Sequence, residues 1–330
     1  RVTEIMVNGP DQVFVETGGK IGRWEKSFES REQLEDLIQQ IVSSVNRIVN
    51  TSMPLADARL SDGSRVHVVL EPIALNGPIL TIRKFPEPMT MERLLDYGSI
   101  SPEAADLLKT LVAARYNIFV SGGTGAGKTT FLNALSEFIP PGERVITIED
   151  AAELQLNHIE NLVRMETREA NAEGAGAIGI GELIRAALRM RPDRVIIGEV
   201  RGKEALDLLQ SLNTGHDGGF SSGHANSVKD MLSRLETMML MGAELPLPAI
   251  RSQLASALDI LVHLGTRKVT AIEEVDRFEN GEIILNPLFT FREAEKAGDG
   301  FGNTGKVEGS LEQIGTLKHR EKLRLAGYRV

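Results

Sequence analysis

Residues 121–130 read Ser-Gly-Gly-Thr-Gly-Ala-Gly-Lys-Thr-Thr. From Gly122 onward the stretch fits G-x-x-x-x-G-K-[ST], a loop whose backbone N–H groups converge on phosphate oxygens. Gly122, Gly123, Thr124, Gly125, Ala126 and Gly127 would form the cradle, and Thr130 would carry the chain into a helix. Lys128 is placed to reach the β- and γ-phosphates, and the Thr129 hydroxyl to hold Mg²⁺. The flanks agree. Asn117–Val120 reads as a short buried strand, and Thr129–Phe138 as a helix with Leu132, Leu135 and Phe138 on one side. The positive end of that helix faces the phosphates. A nucleoside triphosphate site on an α/β sheet is therefore expected.

Beyond the loop, strand and helix patterns alternate, which implies a largely parallel sheet covered by helices. Arg144–Ile148 reads as a strand ending in Glu149-Asp150, and Asp193–Val200 as a strand carrying Glu199. Glu182–Met190, Glu204–Leu212, 227–241 and 248–258 read as helices. A short strand is expected at Phe220–Ser222, another at Leu258–Leu264, and a hairpin over Val269–Phe291 around Asn280-Gly281. Residues 168–181, rich in Ala and Gly, read as a mobile loop. A glycine-rich, charged tail from about 295 ends in a short basic helix at His319–Leu325.

Upstream, Ser101-Pro102-Glu103 is a strong helix start, with Ser as cap and Pro at the first helical position. Residues 1–84 read as a small α+β domain. Short strand patterns in 1–29 precede a helix capped by Ser30 and Gln33, whose apolar residues recur from Leu34 to Val49. Strand candidates Leu55–Leu60, Arg65–Glu71 and Ile79–Lys84 follow, separated by Asp62-Gly63 and Asn76-Gly77. Phe85-Pro86-Glu87-Pro88 breaks regular structure, so 85–97 is expected to be a linker and 98–330 the second domain.

Composition agrees with two domains, since 330 residues exceed one ordinary core. The net charge of −9 argues against a general nucleic-acid binder. With no cysteine, disulfides and thiolate metal sites are impossible. No apolar run is long enough to span a bilayer. The chain opens on Arg1 without a signal-peptide pattern, so a preceding N-terminal segment is expected.

Hydrolysis of a γ-phosphate needs a group that positions water, a metal, and cations for the developing charge. Glu149, with Asp150, and Glu199 stand at the C-terminal ends of strands, where open α/β sheets bind ligands. The Glu199 strand resembles a Walker B strand. Taken singly, such acids are usually solvated strand ends; the phosphate loop in the same sheet favours function. His216 and His224 lie in a Gly-rich segment without the acids or thiols of a metal site, so contact with phosphate or metal-bound water is preferred to zinc ligation. Arg59, Arg65 and Arg83 are strand arginines that most simply lie along the surface. Arg83 is the first choice for a finger on the γ-phosphate and Arg59 the second.

Taken together, DARLSDGSRV (57–66), LTIRKF (80–85), SGGTGAGKTT (121–130), ITIEDAAELQL (146–156), RMRPDRVIIGEVRG (189–202), LNTGHDG (212–218) and HAN (224–226) resemble the type II/type IV secretion ATPases, or traffic ATPases. The likeness is nearest to the CpaF-like subgroup of tight-adherence pili. It implies a RecA-like P-loop ATPase domain behind a small α+β domain. It also implies a homohexamer with ATP and Mg²⁺ in a cleft between the domains, and a cytoplasmic motor at the inner-membrane face working on a membrane platform protein. By the family pattern Glu149 and Glu199 serve water activation and metal–water placement, with Glu199 reaching the metal through water. His216 and His224 form the His box that senses the γ-phosphate, and Arg83 or Arg59 completes the site. Phe220-Ser221-Ser222-Gly223 departs from the pattern, and Gly223 is expected to loosen the approach to His224. The Ala/Gly-rich loop at 170–181 also differs from the polar, lysine-containing loop of relatives.

Two other classes compete. A hexameric nucleic-acid motor shares the loop and sheet, but net acidity, three tyrosines and one tryptophan supply no basic-aromatic platform, so no nucleic acid is expected. A nucleotide-gated scaffold would need neither two carboxylates nor paired histidines.

Overall fold

The computed structural model describes residues 2–45, 47–84, 88–168, 170, 176–293 and 309–329. The chain divides into two compact units, residues 1–87 and 88–330.

The first unit is an antiparallel sheet of β1 (Val2–Asn8), β2 (Val13–Thr17), β3 (Lys20–Arg23), β4 (Leu55–Arg59), β5 (Arg65–Val69) and β6 (Ile79–Arg83), ordered β3-β2-β1-β6-β5-β4. Helix α1 (Arg31–Ser44) covers it, started by Ser30 Oγ accepting from Gln33 N at 3.2 Å. Its Leu34, Ile38 and Val42 are fully buried and share a core with Val7, Val66, Val68 and Leu80. Each such side chain contributes roughly 1.5–3 kcal/mol on burial. The apolar periodicity predicts helix as far as Val49, yet α1 stops at Ser44. In its last turn the Ser43 and Ser44 hydroxyls bond back to the carbonyls of Gln39 and Ile41, an alternative to continued helix. Val49 reaches the same core from the following loop, so its burial mimicked helical spacing.

The second unit is a nine-stranded sheet with helices on both faces. Its strands are β7 (Ile118–Gly122), β8 (Arg144–Glu149), β9 (Asn161–Glu166), β10 (Arg194–Ile197), β11 (Phe220–His224), β12 (Ile260–Leu264), β13 (Val269–Glu279), β14 (Glu282–Glu293) and β15 (Gly309–Gln313). Their order is β15-β14-β13-β12-β7-β11-β10-β8-β9. The six from β12 to β9 run parallel, and β13 to β15 add an antiparallel flank. The helices are α2 (Met91–Asp96), α3 (Pro102–Ala113), α4 (Lys128–Ser136), α5 (Ile180–Ala187), α6 (Glu204–Asn213), α7 (Val228–Gly242), α8 (Leu247–Ala257) and α9 (Glu321–Leu325). One core joins Leu108 and Leu111 of α3 and Leu132 and Leu135 of α4 to one sheet face. A second joins Ile184, Leu209, Leu235 and Leu254 to the other. Parallel strands buried on both faces must be apolar throughout, as Ile-Phe-Val of β7 and Val-Ile-Ile of β10 are.

Several elements differ from the sequence expectation. Residues 91–96, expected inside a linker, form helix α2, because Thr90 caps Arg93 N and Met91 and Leu94, three apart, both reach the core. The break at 85–87 lies outside the described residues, as do 169, 171–175 and 294–308 of the expected loop and tail. Edge strands β9 and β15, where polar residues alternate with apolar ones, were not anticipated. No helix among the described residues is long and apolar enough to cross a membrane.

Candidate nucleotide site

Because β7, β8, β10 and β11 are parallel, their C-terminal ends share one edge of the sheet. The phosphate loop follows β7, Glu149 ends β8, Glu199 follows β10 by two residues, and His224 ends β11. Sheet topology thus gathers four segments scattered over about a hundred residues, where such sheets bind ligands.

Gly127 opens α4 in the left-handed region, at φ 93°, which any side chain would resist. The helix start has no side-chain cap and no acid in its first turn. Its first N–H groups therefore point, with the helix dipole, at whatever anion the loop encloses. Lys128 is largely buried, its ammonium donating to the carbonyls of Gly122 (3.3 Å) and Gly123 (3.2 Å) and lying 3.2 Å from His224 Nδ1. Burial pushes its pKa down, and the nearby Glu199 opposes that.

His224 joins the loop to the Walker B segment. Its Nε2 lies 2.8 Å from Glu199 Oε1, an approach off the hydrogen-bond direction, so the contact is electrostatic. A neutral ring protonated at Nε2 suits both neighbours, with Nδ1 accepting from Lys128. Burial, together with the charges of Lys128, Arg201 and Arg234, lowers the His224 pKa against the pull of Glu199. The other oxygen of Glu199 accepts from Arg201 Nη2 at 2.8 Å, and Arg201 Nη1 stands 3.7 Å from Asp150. Lys128, His224, Glu199, Arg201 and Asp150 form a continuous polar chain along the sheet edge.

Glu149 is built differently. It is 3 % exposed, and its Oε1 accepts from the backbone N–H groups of Glu153 (2.8 Å) and Leu154 (3.0 Å). Its Oε2 is buried without a hydrogen-bond partner, an arrangement that costs free energy and calls for a reason. Desolvation raises its pKa, while the two backbone bonds and Arg164 resist. Its side chain lies over Gly198, where a Cβ would come within 2.9 Å of Glu149 Cγ. The residue before Glu199 must therefore lack a side chain. Asn133 of α4 accepts from Gln155 N at 2.8 Å, tying the loop after Glu149 to the phosphate-loop helix.

Two expectations need correction. His216 does not join this edge. It precedes β11, so the whole strand, about 16 Å at roughly 3.3 Å per residue, separates it from His224. Its neighbour Asp217 pairs with Lys322 at the opposite end of the sheet. Gly223 does not loosen the approach to His224 either. Strand β11 runs unbroken through it, and a Cβ there would strike the Met231 side chain of α7 at 2.9 Å.

The arginines of the first unit show an order that spacing along the chain conceals. Arg59 stands opposite Arg65 and Arg65 opposite Arg83, with Glu4 on the far side of Arg83. Residues directly opposite share a face, so the three form one cationic row across β4, β5 and β6. Arg83 is exposed, and Arg59 Nε donates to Gly63 O at 3.5 Å. Sequence reasoning missed Arg201, whose signal was its place two residues after Glu199. It also missed Asn133.

A profile of the family described as "Type II/IV secretion system protein" matches residues 1–287. The chain belongs to this family. It is 39% identical over 270 residues to a Mycobacterium tuberculosis protein named for conjugal transfer, covering 80% of this chain and 76% of that one. It is 35% identical over 292 residues to the type IV secretion system protein PtlH of Bordetella pertussis, covering 81% and 86%. Among solved structures, the pilus retraction motor PilT with bound ADP superposes with a TM-score of 0.58 at 19% identity, covering 87% of this chain and 78% of that one. The Legionella pneumophila ATPase DotB gives 0.56 at 18%, covering 87% and 76%. These two likenesses show the fold: a RecA-like P-loop domain preceded by a small α+β domain. Membership makes the chain a type II/IV secretion system protein in the general sense.

The residues present fit a hard cation. Thr129 supplies a hydroxyl, and Glu149 and Glu199 supply carboxylate oxygens, the donor type that Mg²⁺ takes. Among the described residues no group of three or more His, Cys, Asp or Glu forms a metal cage. Magnesium would share its shell with nucleotide phosphates and water, as it does in phosphoryl-transfer sites.

Proposed function

We propose that the chain hydrolyses MgATP and works as a homohexameric motor for pilus assembly or protein secretion. The observation that carries the reading is the chain of contacts from Lys128 through His224 to Glu199, set beside a buried carboxylate with one oxygen unpartnered. In this reading the loop N–H groups and Lys128 hold the β- and γ-phosphates. Glu149 Oε2 accepts the proton of the attacking water while its Oε1 stays fixed by two N–H groups. Glu199, His224 and Arg201 hold the loop lysine and the water network in register. When bound, Mg²⁺ on Thr129 Oγ1, with Glu199 acting through water, offsets phosphate charge. The arginine row, Arg83 first and Arg59 second, supplies further cations for the transition state.

The membrane-side assignments rest on kinship alone: a cytoplasmic motor at the inner-membrane face, a platform protein as partner, and the CpaF-like tight-adherence subgroup. The test of the enzymatic reading is Lys128→Ala. Phosphate release is expected to vanish and nucleotide binding to weaken, whereas near-wild-type turnover would remove the loop from the chemistry. Stimulation by single-stranded DNA rather than by anionic lipid would move the chain to the nucleic-acid motors.

A further inference from the structure

His263 is a half-buried histidine that the proposed chemistry does not use. It lies on β12, in register with Ser121 of β7, the residue immediately before the phosphate loop. Its Nδ1 is 2.8 Å from Ser121 Oγ, whose single proton goes either to that nitrogen or to Val262 O at 3.3 Å. The Asn226 backbone also acts on the ring, in the sense of a carbonyl that favours the protonated form. Asn226 lies two residues beyond His224. One imidazole therefore bonds the residue before the phosphate loop and lies near the segment that follows His224. The same two segments meet again where Ala225 N donates to Gly122 O at 3.4 Å.

The surroundings leave this ring little freedom. Thr270 Oγ1 bonds the carbonyl of His263 at 3.2 Å, fixing the strand behind it. The neighbouring residue Leu264 is in register with Gly122. Burial lowers the His263 pKa against the pull of the Asn226 backbone and of Asp230, in the first turn of α7. A ring bonded to Ser121 and acted on by the Asn226 backbone lies between the two segments that bring Lys128 and His224 together.

We propose that His263 is a positioning residue for ATP hydrolysis, a brace between Ser121 and Asn226 that holds Lys128 and His224 in their working register. The proposal rests on the hydrolytic reading above. Displacing a reacting group by about 1 Å can cost on the order of a hundredfold in rate, so a brace of this kind acts on turnover more than on binding. Asn and Gln each reproduce part of it: an Asn amide can occupy the place of Nδ1, facing Ser121, and a Gln amide the place of Nε2.

The experiment compares His263→Leu, His263→Asn and His263→Gln in the full chain. It measures kcat, the Kd of a non-hydrolysable ATP analogue and the melting temperature, with Lys128→Ala as reference. His263→Leu is expected to lose kcat by about 10- to 100-fold with Kd within about threefold. Asn or Gln should recover part of that loss at unchanged Kd. The brace is refuted if Leu keeps kcat within about twofold, or if the polar variants are no better than Leu. It is equally refuted if kcat, Kd and melting temperature fall together in all three, which is the mark of a merely structural histidine. If Lys128→Ala itself hydrolyses normally, the hydrolytic reading fails instead, and the two failures are distinct.

Discussion

Replacing Glu149 by Gln separates its chemical role from its structural one. The Gln side-chain carbonyl can still accept from Glu153 and Leu154, now 2.8 and 3.0 Å from Oε1, so the local loop should keep its shape. Its amide nitrogen would take the place of Oε2, a buried atom that makes no hydrogen bond. An unpaired buried amide costs about 1–3 kcal/mol, but the substitution also removes a charge that burial disfavours. The two effects oppose each other, so stability at neutral pH should change less than either would change it alone. The sign of the pH dependence is definite. Because the folded-state pKa is raised, the native chain binds this proton more readily than the unfolded chain, and stability falls as pH rises from the ordinary carboxylate value through the folded pKa. Glu149→Gln should lack that decline, gaining on the parent as pH rises. General-base removal costs about 10²- to 10⁴-fold, so kcat should drop by that factor, roughly 3–5 kcal/mol in barrier. Analogue affinity should be retained. Steady-state phosphate release, analogue titration and urea denaturation at two pH values measure these quantities. Turnover within threefold of the parent, with the fold intact, would remove Glu149 from proton transfer and pass the role to Glu199.

His216→Ala should leave turnover near the parent value while His224→Ala lowers it at least about tenfold; equal losses in a phosphate-release assay would contradict the placement of His216 at the far edge. Arg83→Ala should reduce kcat with little change in analogue affinity, as expected of a cation that acts in the transition state. An unaltered rate would exclude it, and Arg59→Ala would then be tested in its place. Lys322→Ala should destabilise the chain by about 3 kcal/mol, because Lys322 Nζ sits 2.7 Å from Asp259 and 2.9 Å from Asp217, and burial already raises the Asp259 pKa. A denaturation midpoint unchanged from the parent would show that α9 is not fastened there.

What decides the places of His216 and Gly223 lies across the sheet. His216 and His224 are eight residues apart in one Gly-rich segment, and in sequence nothing tells them apart. A strand of five residues runs between them and carries them to opposite edges. Gly223 looked like a weak point because glycine in a strand usually is one; the thioether of Met231 on α7 gives it a packing reason. Met91 and Leu94 were taken for linker because a Pro-rich break precedes them, although Thr90 was present as a cap.

The sequence by itself determined the phosphate loop, its strand and helix, the alternating α/β pattern and the two acids at strand ends. These depend on neighbours along the chain: glycine spacing, helix caps and apolar periods. Tertiary structure alone decided that Glu149 keeps one oxygen without a partner, that His224 lies between Lys128 and Glu199, and that Arg59, Arg65 and Arg83 share one row. It also decided that His263 stands level with Ser121. Each of these is a matter of strand order and register, set by which faces bury against which helices. A chain read one residue after another carries no record of what lies across a sheet.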